Sequence, residues 1–318
     1  MRFHACVLAR VIGFALIGIV IAGCGRSRNN DQPMQTAFAP ITLGDLPGVH
    51  NVIQLNGELY SGSSPDGEVG FQTLQTLGIR TLISVDGAKP DVATAARFGL
   101  RYVHVPVGYD GVPREVAVRI ARAFRDLPGP VYVHCHHGKH RGPAAAMAAL
   151  RCLDENCPAS TAVEFLRFAG TDPKYKGLYT SVETSTMATP SEWEKAGNDF
   201  PEAVIVPDLV RLMVGIDDRW DRMKMIRAAK WNTPIEHSNI DPPHEALQLV
   251  EHYREASRLV EIRSRSLEFT KLLKEAEESA GDLERTLRAK PVRAESAEVA
   301  FTRSSNLCAK CHSLFRDQ

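Results

Sequence analysis

The chain has 318 residues, of which 44% are hydrophobic, and its 38 Lys and Arg residues balance its 38 Asp and Glu residues. This length supports two domains with packed cores. A formal net charge of zero and the lack of a basic stripe argue against a dedicated nucleic-acid-binding protein, so we expect no nucleic-acid partner.

Residues 1–24 have the pattern of an export signal: a positively charged start, an apolar run over residues 11–21 and small residues after it. Residues 21–24 (IAGC) resemble the lipobox of bacterial lipoproteins. The resemblance implies that Cys24 carries the lipid and that the chain is exported and anchored to a bacterial membrane facing the periplasm. An uncleaved membrane anchor is the alternative. Residues 25–40 are polar and contain two prolines, which predicts a flexible tether.

Residues 41–184 alternate between strand and helix patterns, which predicts an α/β domain. Apolar strands separated by helices predict a mostly parallel central sheet with helices on both faces. The predicted strands are residues 51–55, 59–62, 81–85, 101–107 and 131–135, and the predicted helices are residues 67–77, 91–98, 114–127, 143–154 and 159–168.

The stretch VYVHCHHGKHRG, residues 131–142, has the pattern of a strand, a tight loop and the start of a helix. A cysteine at the mouth of a helix lies near unpaired amide groups and the positive end of the helix dipole, which favour a thiolate. The amides from His136 to Arg141 are expected to surround an anion such as phosphate. Arg141 can bind two phosphate oxygens at once through the planar fork of its guanidinium group.

The sequence His134-Cys135-x5-Arg141 resembles the signature of cysteine-dependent protein tyrosine and dual-specificity phosphatases. The resemblance implies that Cys135 attacks a phosphate monoester, that a cysteinyl phosphate forms and that water hydrolyses it. A buried cysteine near a surface arginine is the plainer alternative, but it does not account for the flanking strand and helix. The predicted phosphate-binding residues are His136, His137, Gly138, Lys139 and His140.

Two details of this loop bear on the reaction. The family usually has Ser or Thr after the arginine, where the hydroxyl helps the thiolate leave the intermediate, so Gly142 predicts a slow second step. Residues 138–141 (GKHR) resemble a segment of fungal and plant atypical dual-specificity phosphatases that act on inositol pyrophosphates. A basic loop favours compact, highly charged phosphates, although its histidines could instead be solvated or packed.

Displacement of an alkoxide by a thiolate needs an acid that protonates the leaving oxygen. Asp110 follows a predicted strand in a glycine-flanked loop, and related phosphatases carry their acid on such a loop, so Asp110 is the predicted acid. An ordinary turn aspartate is the plainer interpretation of Asp110. Asp86, which also follows a predicted strand, is the alternative acid.

Cys152 and Cys157 lie around a predicted helix end (CLDENC). In an oxidising periplasm they could form a disulfide. Two packed free thiols are the alternative.

Residues 203–318 change to long, charged, amphipathic segments with few glycines, after a predicted interdomain linker over residues 185–202. Four amphipathic helices of this length predict a four-helix bundle. The predicted helices are residues 206–228, 243–263, 266–287 and 294–315.

The last predicted helix ends in Cys308-Ala309-Lys310-Cys311-His312, which has the attachment spacing of c-type haem. A disulfide, a thioredoxin-like pair and a partial zinc site are the alternatives. Residues 269–317 resemble the C-terminal half of class II cytochromes c, which include cytochrome c′. The resemblance implies one covalent haem c per chain on Cys308 and Cys311, with His312 as the proximal ligand.

Met213 lies early in the first predicted helix of this region, on its apolar face, and is the candidate sixth ligand of the iron. An ordinary core methionine is the alternative. Methionine ligation would imply electron transfer, whereas an open position would imply binding of a small gas.

Together these patterns predict an exported, membrane-tethered phosphatase that carries a haem domain for electron transfer or for redox or gas sensing. The alternative is a class II cytochrome whose phosphatase-like domain only binds ligands or is vestigial. The expected partners are a phosphorylated protein or a small polyphosphorylated molecule, a redox partner protein, and the membrane. Class II cytochromes often dimerise, so a homodimer is a further expectation.

Overall fold

A computed structural model describes residues 40–316 of the chain. The predicted signal segment 1–24, with Cys24, lies outside the described residues, as does the predicted tether apart from residue 40. Among the described helices, none is both long and apolar enough to cross a membrane.

Six strands form one mixed sheet in the order β1-β2-β3-β6-β4-β5. The strands β3, β6, β4 and β5 are parallel, whereas β1 and β2 form an antiparallel hairpin that continues to β3. The α/β prediction is therefore confirmed: three of the five strand pairs are parallel, and the antiparallel hairpin makes the sheet mixed. The strands are β1 Ile41–Leu46, β2 Val49–Asn56, β3 Leu59–Ser63, β4 Thr81–Ser84, β5 Arg101–His104 and β6 Val131–Cys135.

Helices cover both faces of the sheet. A buried core of Leu82, Tyr102 and Tyr132 packs against α1 and α2 on one face, while α4 packs against β3 and β6. Residues 144–149 of α4 are fully buried, and five of the six are alanines, whose small side chains let this helix approach the sheet closely. The helices are α1 Gly67–Thr76, α2 Val92–Arg97, α3 Arg114–Asp126, α4 Arg141–Leu153, α5 Ala159–Phe168, α6 Lys176–Thr184 and α7 Pro190–Ala196.

Cys152 in α4 and Cys157 after it are both buried free thiols. This agrees with the alternative of two packed thiols rather than with a disulfide. The Cys152 thiol donates to the Ala148 carbonyl at 3.2 Å and accepts from the Arg114 guanidinium at 3.1 Å. Burial raises the pKa of Cys152 to about 11. This thiol is therefore a packing group in the described structure.

Part of the predicted linker 185–202 is an ordered helix, α7. Thr189 and Glu192 cap its N-terminus reciprocally, and Glu192 pairs with Arg114 of α3 at 2.8 Å. The chain then runs beside β5, where the Pro201 carbonyl accepts from the amide of His104 at 2.8 Å. The segment therefore packs against the sheet domain along its length.

The C-terminal region, residues 203–316, is helical and is called the helical half below. Its helices share a buried core, in which Trp220 stacks on Phe301 with ring centroids 4.4 Å apart. Glu245 is buried in the same region and accepts from Arg219 and Arg222 at 2.8 and 2.9 Å. The helices are α8 Asp208–Ala228, α9 Pro242–Arg258, α10 Leu267–Arg288 and α11 Ala294–Phe315, with a 3-10 turn at Val260–Ser264. All described residues fall within one compact unit.

Candidate active site

Cys135 ends β6, which lies in the sheet between β3 and β4. Residues 135–141, called the cysteine loop below, connect this strand to α4, which begins at Arg141. The carboxyl ends of parallel strands are the edge where α/β sheets bind ligands. Cys135 is only 3% exposed, so its sulfur lies at the base of the loop.

The carbonyl groups of the cysteine loop are held from outside by neighbouring segments. Gly138 turns the loop with φ of +73°, and a Cβ there would collide with the backbone of Gly62 and Ser63, so glycine is required. Among the described contacts, the amides of residues 137–140 donate to no protein acceptor. Three donors outside the loop form hydrogen bonds with its carbonyl oxygens: Ser64 N–H donates to Cys135 O at 2.8 Å, Asn51 Nδ2 to His137 O at 2.9 Å and Thr171 Oγ1 to Lys139 O at 2.7 Å.

Arg141 and Asp86 form a buried ion pair beside these amides. Asp86 Oδ2 accepts from the Arg141 guanidinium at 3.0 Å and from the His136 amide at 2.5 Å, and its other oxygen accepts from Ala88 N–H at 3.0 Å. The Arg141 Nε–H is buried without a partner. Buried donors are normally satisfied, so the loop amides and Arg141 Nε together offer unused donors for an anion.

The charge state of Asp86 follows from its surroundings. Burial alone would raise the pKa of this carboxyl, but the positive charge of Arg141 and the hydrogen bond from Ala88 outweigh burial and lower it. Asp86 is therefore an ionised carboxylate at neutral pH. It already accepts hydrogen bonds from Arg141 and the His136 amide, two donors of the same kind as those that would bind an anion.

Asp110 lies on the loop after β5, and its side chain is exposed. Its backbone is pressed against Gly177 of α6, where a Cβ would collide with it. The Ser181 hydroxyl, also on α6, accepts from Val112 N–H at 2.7 Å and holds the same loop. Within residues 40–316, no hydrogen bond or ion pair joins the Asp110 carboxylate to the cysteine loop.

The side chains of the predicted phosphate-binding residues turn away from the loop centre. His136 Nε2 lies 3.2 Å from Asp221 of α8, and the His140 ring packs on Tyr175 with centroids 4.9 Å apart. His137 and Lys139 are exposed. His137, Gly138, Lys139 and His140 can therefore contact a bound anion through their backbone amides rather than their side chains, whereas the His136 amide donates to Asp86.

Two residues not predicted for this site, Tyr109 and Arg316, are connected to Arg141 through one aromatic ring. The ring of Tyr109, next to Asp110, lies 4.7 Å from the Arg141 guanidinium carbon. The guanidinium of Arg316, just after α11, lies 3.7 Å from the same ring and also contacts the Tyr175 hydroxyl at 3.4 Å. In the sequence, Arg316 falls within residues 269–317, the stretch that resembles class II cytochromes c, and nothing there linked it to Tyr109.

His104 connects Asp86 to the entry of the helical half. Its Nδ1 accepts from Val204 N–H at 3.1 Å, which leaves the proton on Nε2, where it donates to the Asp86 carbonyl at 2.9 Å. Burial lowers the pKa of His104, consistent with this neutral form. His134, the residue before Cys135, is also buried, and burial lowers its pKa to about 4.

The CxxCH residues lie on the last turns of α11. Cys308 and Cys311 are free and half-buried; the Cys308 sulfur lies 3.4 Å from the Tyr253 hydroxyl, and Cys311 packs against the helical core. His312 is exposed. Met213 in α8 is partly buried against the same core, and no described contact joins it to His312. Two free thiols and an imidazole on adjacent turns of one helix are a donor set that fits c-type haem.

No protein-family model matches the chain, and no curated protein matches it significantly in sequence. Among solved structures it is similar to P. aeruginosa TpbA, with 20% identity and a TM-score of 0.39, over 46% of this chain and 91% of that chain. It is also similar to the core catalytic domain of PP-IP phosphatase SIW14 from S. cerevisiae, with 16% identity and a TM-score of 0.39, over 44% and 87%.

Proposed function

We propose that the protein is a cysteine-dependent phosphatase that hydrolyses phosphate monoesters. The observation that carries this proposal is the set of unused donors beside Cys135: the amides of residues 137–140 and the buried Nε–H of Arg141. Such donors suit the oxygens of a phosphoryl group and the charge that develops on them in the transition state.

In the proposed reaction, the Cys135 thiolate attacks phosphorus, and the S–P bond forms as the P–O bond to the alcohol breaks. An acid gives its proton to the leaving oxygen. Water then attacks the cysteinyl phosphate and releases inorganic phosphate and the thiolate. Gly142 provides no hydroxyl to assist this second step, so the intermediate should persist.

Asp110 is the acid in this proposal because it lies on the loop after β5, next to Tyr109, whose ring lies 4.7 Å from the Arg141 guanidinium carbon. Asp86 is ionised by its pairing with Arg141. Asp86 instead positions Arg141. Asp110→Asn should slow hydrolysis of an alkyl phosphate far more than that of p-nitrophenyl phosphate, whose leaving group needs no proton. Equal slowing of both substrates would remove Asp110 from the role.

The test of the phosphatase proposal is hydrolysis of p-nitrophenyl phosphate by the purified full-length chain. Cys135→Ser should abolish activity, and Arg141→Lys, which keeps the charge but loses the planar fork, should lower kcat by roughly 10²- to 10³-fold. Activity that survives in Cys135→Ser would contradict the proposal. A natural chain with no activity would favour the alternative, a cytochrome whose sheet domain only binds ligands.

We propose further that Cys308 and Cys311 attach one haem c and that His312 binds its iron, with Met213 as the candidate sixth ligand. When bound, haem supplies one-electron redox chemistry or an open position for a small gas. The support is the donor set itself, two free thiols and an adjacent imidazole. Protein exported from a cell that matures cytochromes c should show a covalent haem spectrum, and a chain without covalent haem would contradict this.

Arg316 supports a coupling between the two activities, because it follows His312 by only four residues and contacts Tyr109, whose ring also lies against Arg141. Haem held by Cys308, Cys311 and His312 would supply a change of oxidation or ligand state close in sequence to Arg316, and Arg316 would bias hydrolysis through its contact with Tyr109. Phosphatase activity measured with haem oxidised, reduced and NO-bound tests this. Equal activity in all three states would favour two independent activities, ester hydrolysis and electron transfer to a redox partner, on one exported, lipid-anchored chain.

A further inference from the structure

A second cluster of chemically active side chains lies between the cysteine loop and α8. His136 and His137 of the loop and Asp217 of α8 each present one ligand atom, and these three atoms lie within 4.8 Å of one another. The cluster is distinct from the anion-binding donors, because those are backbone amides and the Arg141 guanidinium. It is also separate from the CxxCH residues, which lie on α11.

The loop geometry leaves these imidazoles free for another role. The His137 carbonyl is fixed by Asn51 at 2.9 Å, while its side chain and that of Asp217 are exposed. His136 is oriented by Asp221, which lies 3.2 Å from its Nε2. Asp221 is held in turn by Lys224 at 2.6 Å.

Two imidazoles and one carboxylate are ligands for borderline divalent ions such as Zn²⁺, rather than for Mg²⁺ or Ca²⁺, which prefer oxygen. Ligand atoms about 2.0–2.2 Å from one zinc ion lie roughly 3–3.5 Å apart. Small side-chain rotations would bring atoms that are already within 4.8 Å to that spacing. A carboxylate hydrogen-bonded to a ligating histidine is the usual outer partner of such sites.

We propose that His136, His137 and Asp217 bind one divalent transition-metal ion of the Zn²⁺ type, with Asp221 positioning His136. Three protein ligands leave a coordination position open for water or another oxygen ligand. The ion would join the cysteine loop to α8 and add positive charge beside the anion-binding amides. Metal binding here does not depend on hydrolysis, so this proposal and the phosphatase proposal can fail separately.

The test is equilibrium dialysis of the purified full-length protein against Zn²⁺, after removal of metals with a chelator, followed by elemental analysis. His137→Ala and Asp217→Asn replace exposed side chains and should each lose one zinc equivalent at a concentration that saturates the natural chain. His237→Ala, which removes another exposed imidazole, is the matched control and should keep it. Zinc bound by thiols would be the same in all four proteins and cancels in the comparison.

Asp221→Asn should weaken zinc binding by roughly 10- to 100-fold, as loss of an outer partner does, without removing the site. Zn²⁺ should also raise the melting temperature of the natural chain and of His237→Ala but not that of His137→Ala. If His137→Ala and Asp217→Asn fold and bind as much zinc as the control, the proposal is overturned. The cluster is then only a solvated ion-pair network.

Discussion

Asp86→Asn tests how much the buried ion pair between Asp86 and Arg141 contributes to the stability of the protein. Asp86 is 4% exposed and accepts from Arg141, His136 N–H and Ala88 N–H. Asparagine keeps the shape and one acceptor oxygen but removes the charge. Breaking a buried ion pair costs about 3–5 kcal/mol, and the retained amide contacts offset part of this. We therefore expect a loss of about 2–4 kcal/mol of unfolding free energy.

The assay is urea unfolding at pH 7, with and without inorganic phosphate. Phosphate should stabilise the variant more than the natural chain, because no carboxylate competes for Arg141 and the His136 amide; saturation at 100 times Kd adds about 2.7 kcal/mol. A variant as stable as the natural chain, or equal stabilisation of both by phosphate, would show that Asp86 neither stabilises the fold through Arg141 nor competes with phosphate for it.

The pH dependence of the same comparison follows from the lowered pKa of Asp86. A carboxyl whose pKa is depressed by folding stabilises the native state above its unfolded pKa of about 3.9. This contribution is lost as the pH falls through the lower folded value. The stability difference between the natural chain and Asp86→Asn should therefore shrink in acid, and a difference that grows there would contradict the assigned charge state.

Three further predictions concern other contacts. Gly177→Ala puts a Cβ into the Asp110 backbone and should cost about 1–3 kcal/mol in urea unfolding while lowering kcat; an unchanged kcat would show that the position of this loop is unimportant. Phe301→Ala removes the ring stacked on Trp220 and should cost about 3–5 kcal/mol, with a change in tryptophan fluorescence; a loss below 1 kcal/mol would contradict this packing. Arg316→Ala should raise KM for a phosphate ester with little change in melting temperature, since Arg316 is partly exposed; an unchanged KM would remove it from the site.

Local patterns made the core of the site predictable from sequence. The apolar run of β6, the glycine at position 138 and the alanine-rich start of α4 indicated a strand, a tight loop and a helix, and the structure has all three. The hairpin strand β1 was not predicted because none of its residues is buried, so they lack the apolar alternation of a covered strand. The capping pair of α7 lay in the sequence, but its polar surroundings resembled a linker.

Contacts between distant segments were not predictable. Asp86 and Arg141 come from different strand ends, and their pairing depends on the strand order, with β6 inserted beside β4. The approach of α8 and of Arg316 to the cysteine loop depends on how the helical half packs against the sheet. Local periodicity does not predict such packing, because each strand or helix would show the same hydrophobic pattern whichever neighbours it packed against.

The most direct test of the central claim is rapid acid quenching of the full-length protein during turnover of a phosphate monoester, followed by mass analysis of its peptides. One phosphoryl group should accumulate on Cys135 in an initial burst, because Gly142 leaves the second step unassisted. Steady hydrolysis with no phosphoryl group on Cys135, and undiminished by Cys135→Ser, would contradict it.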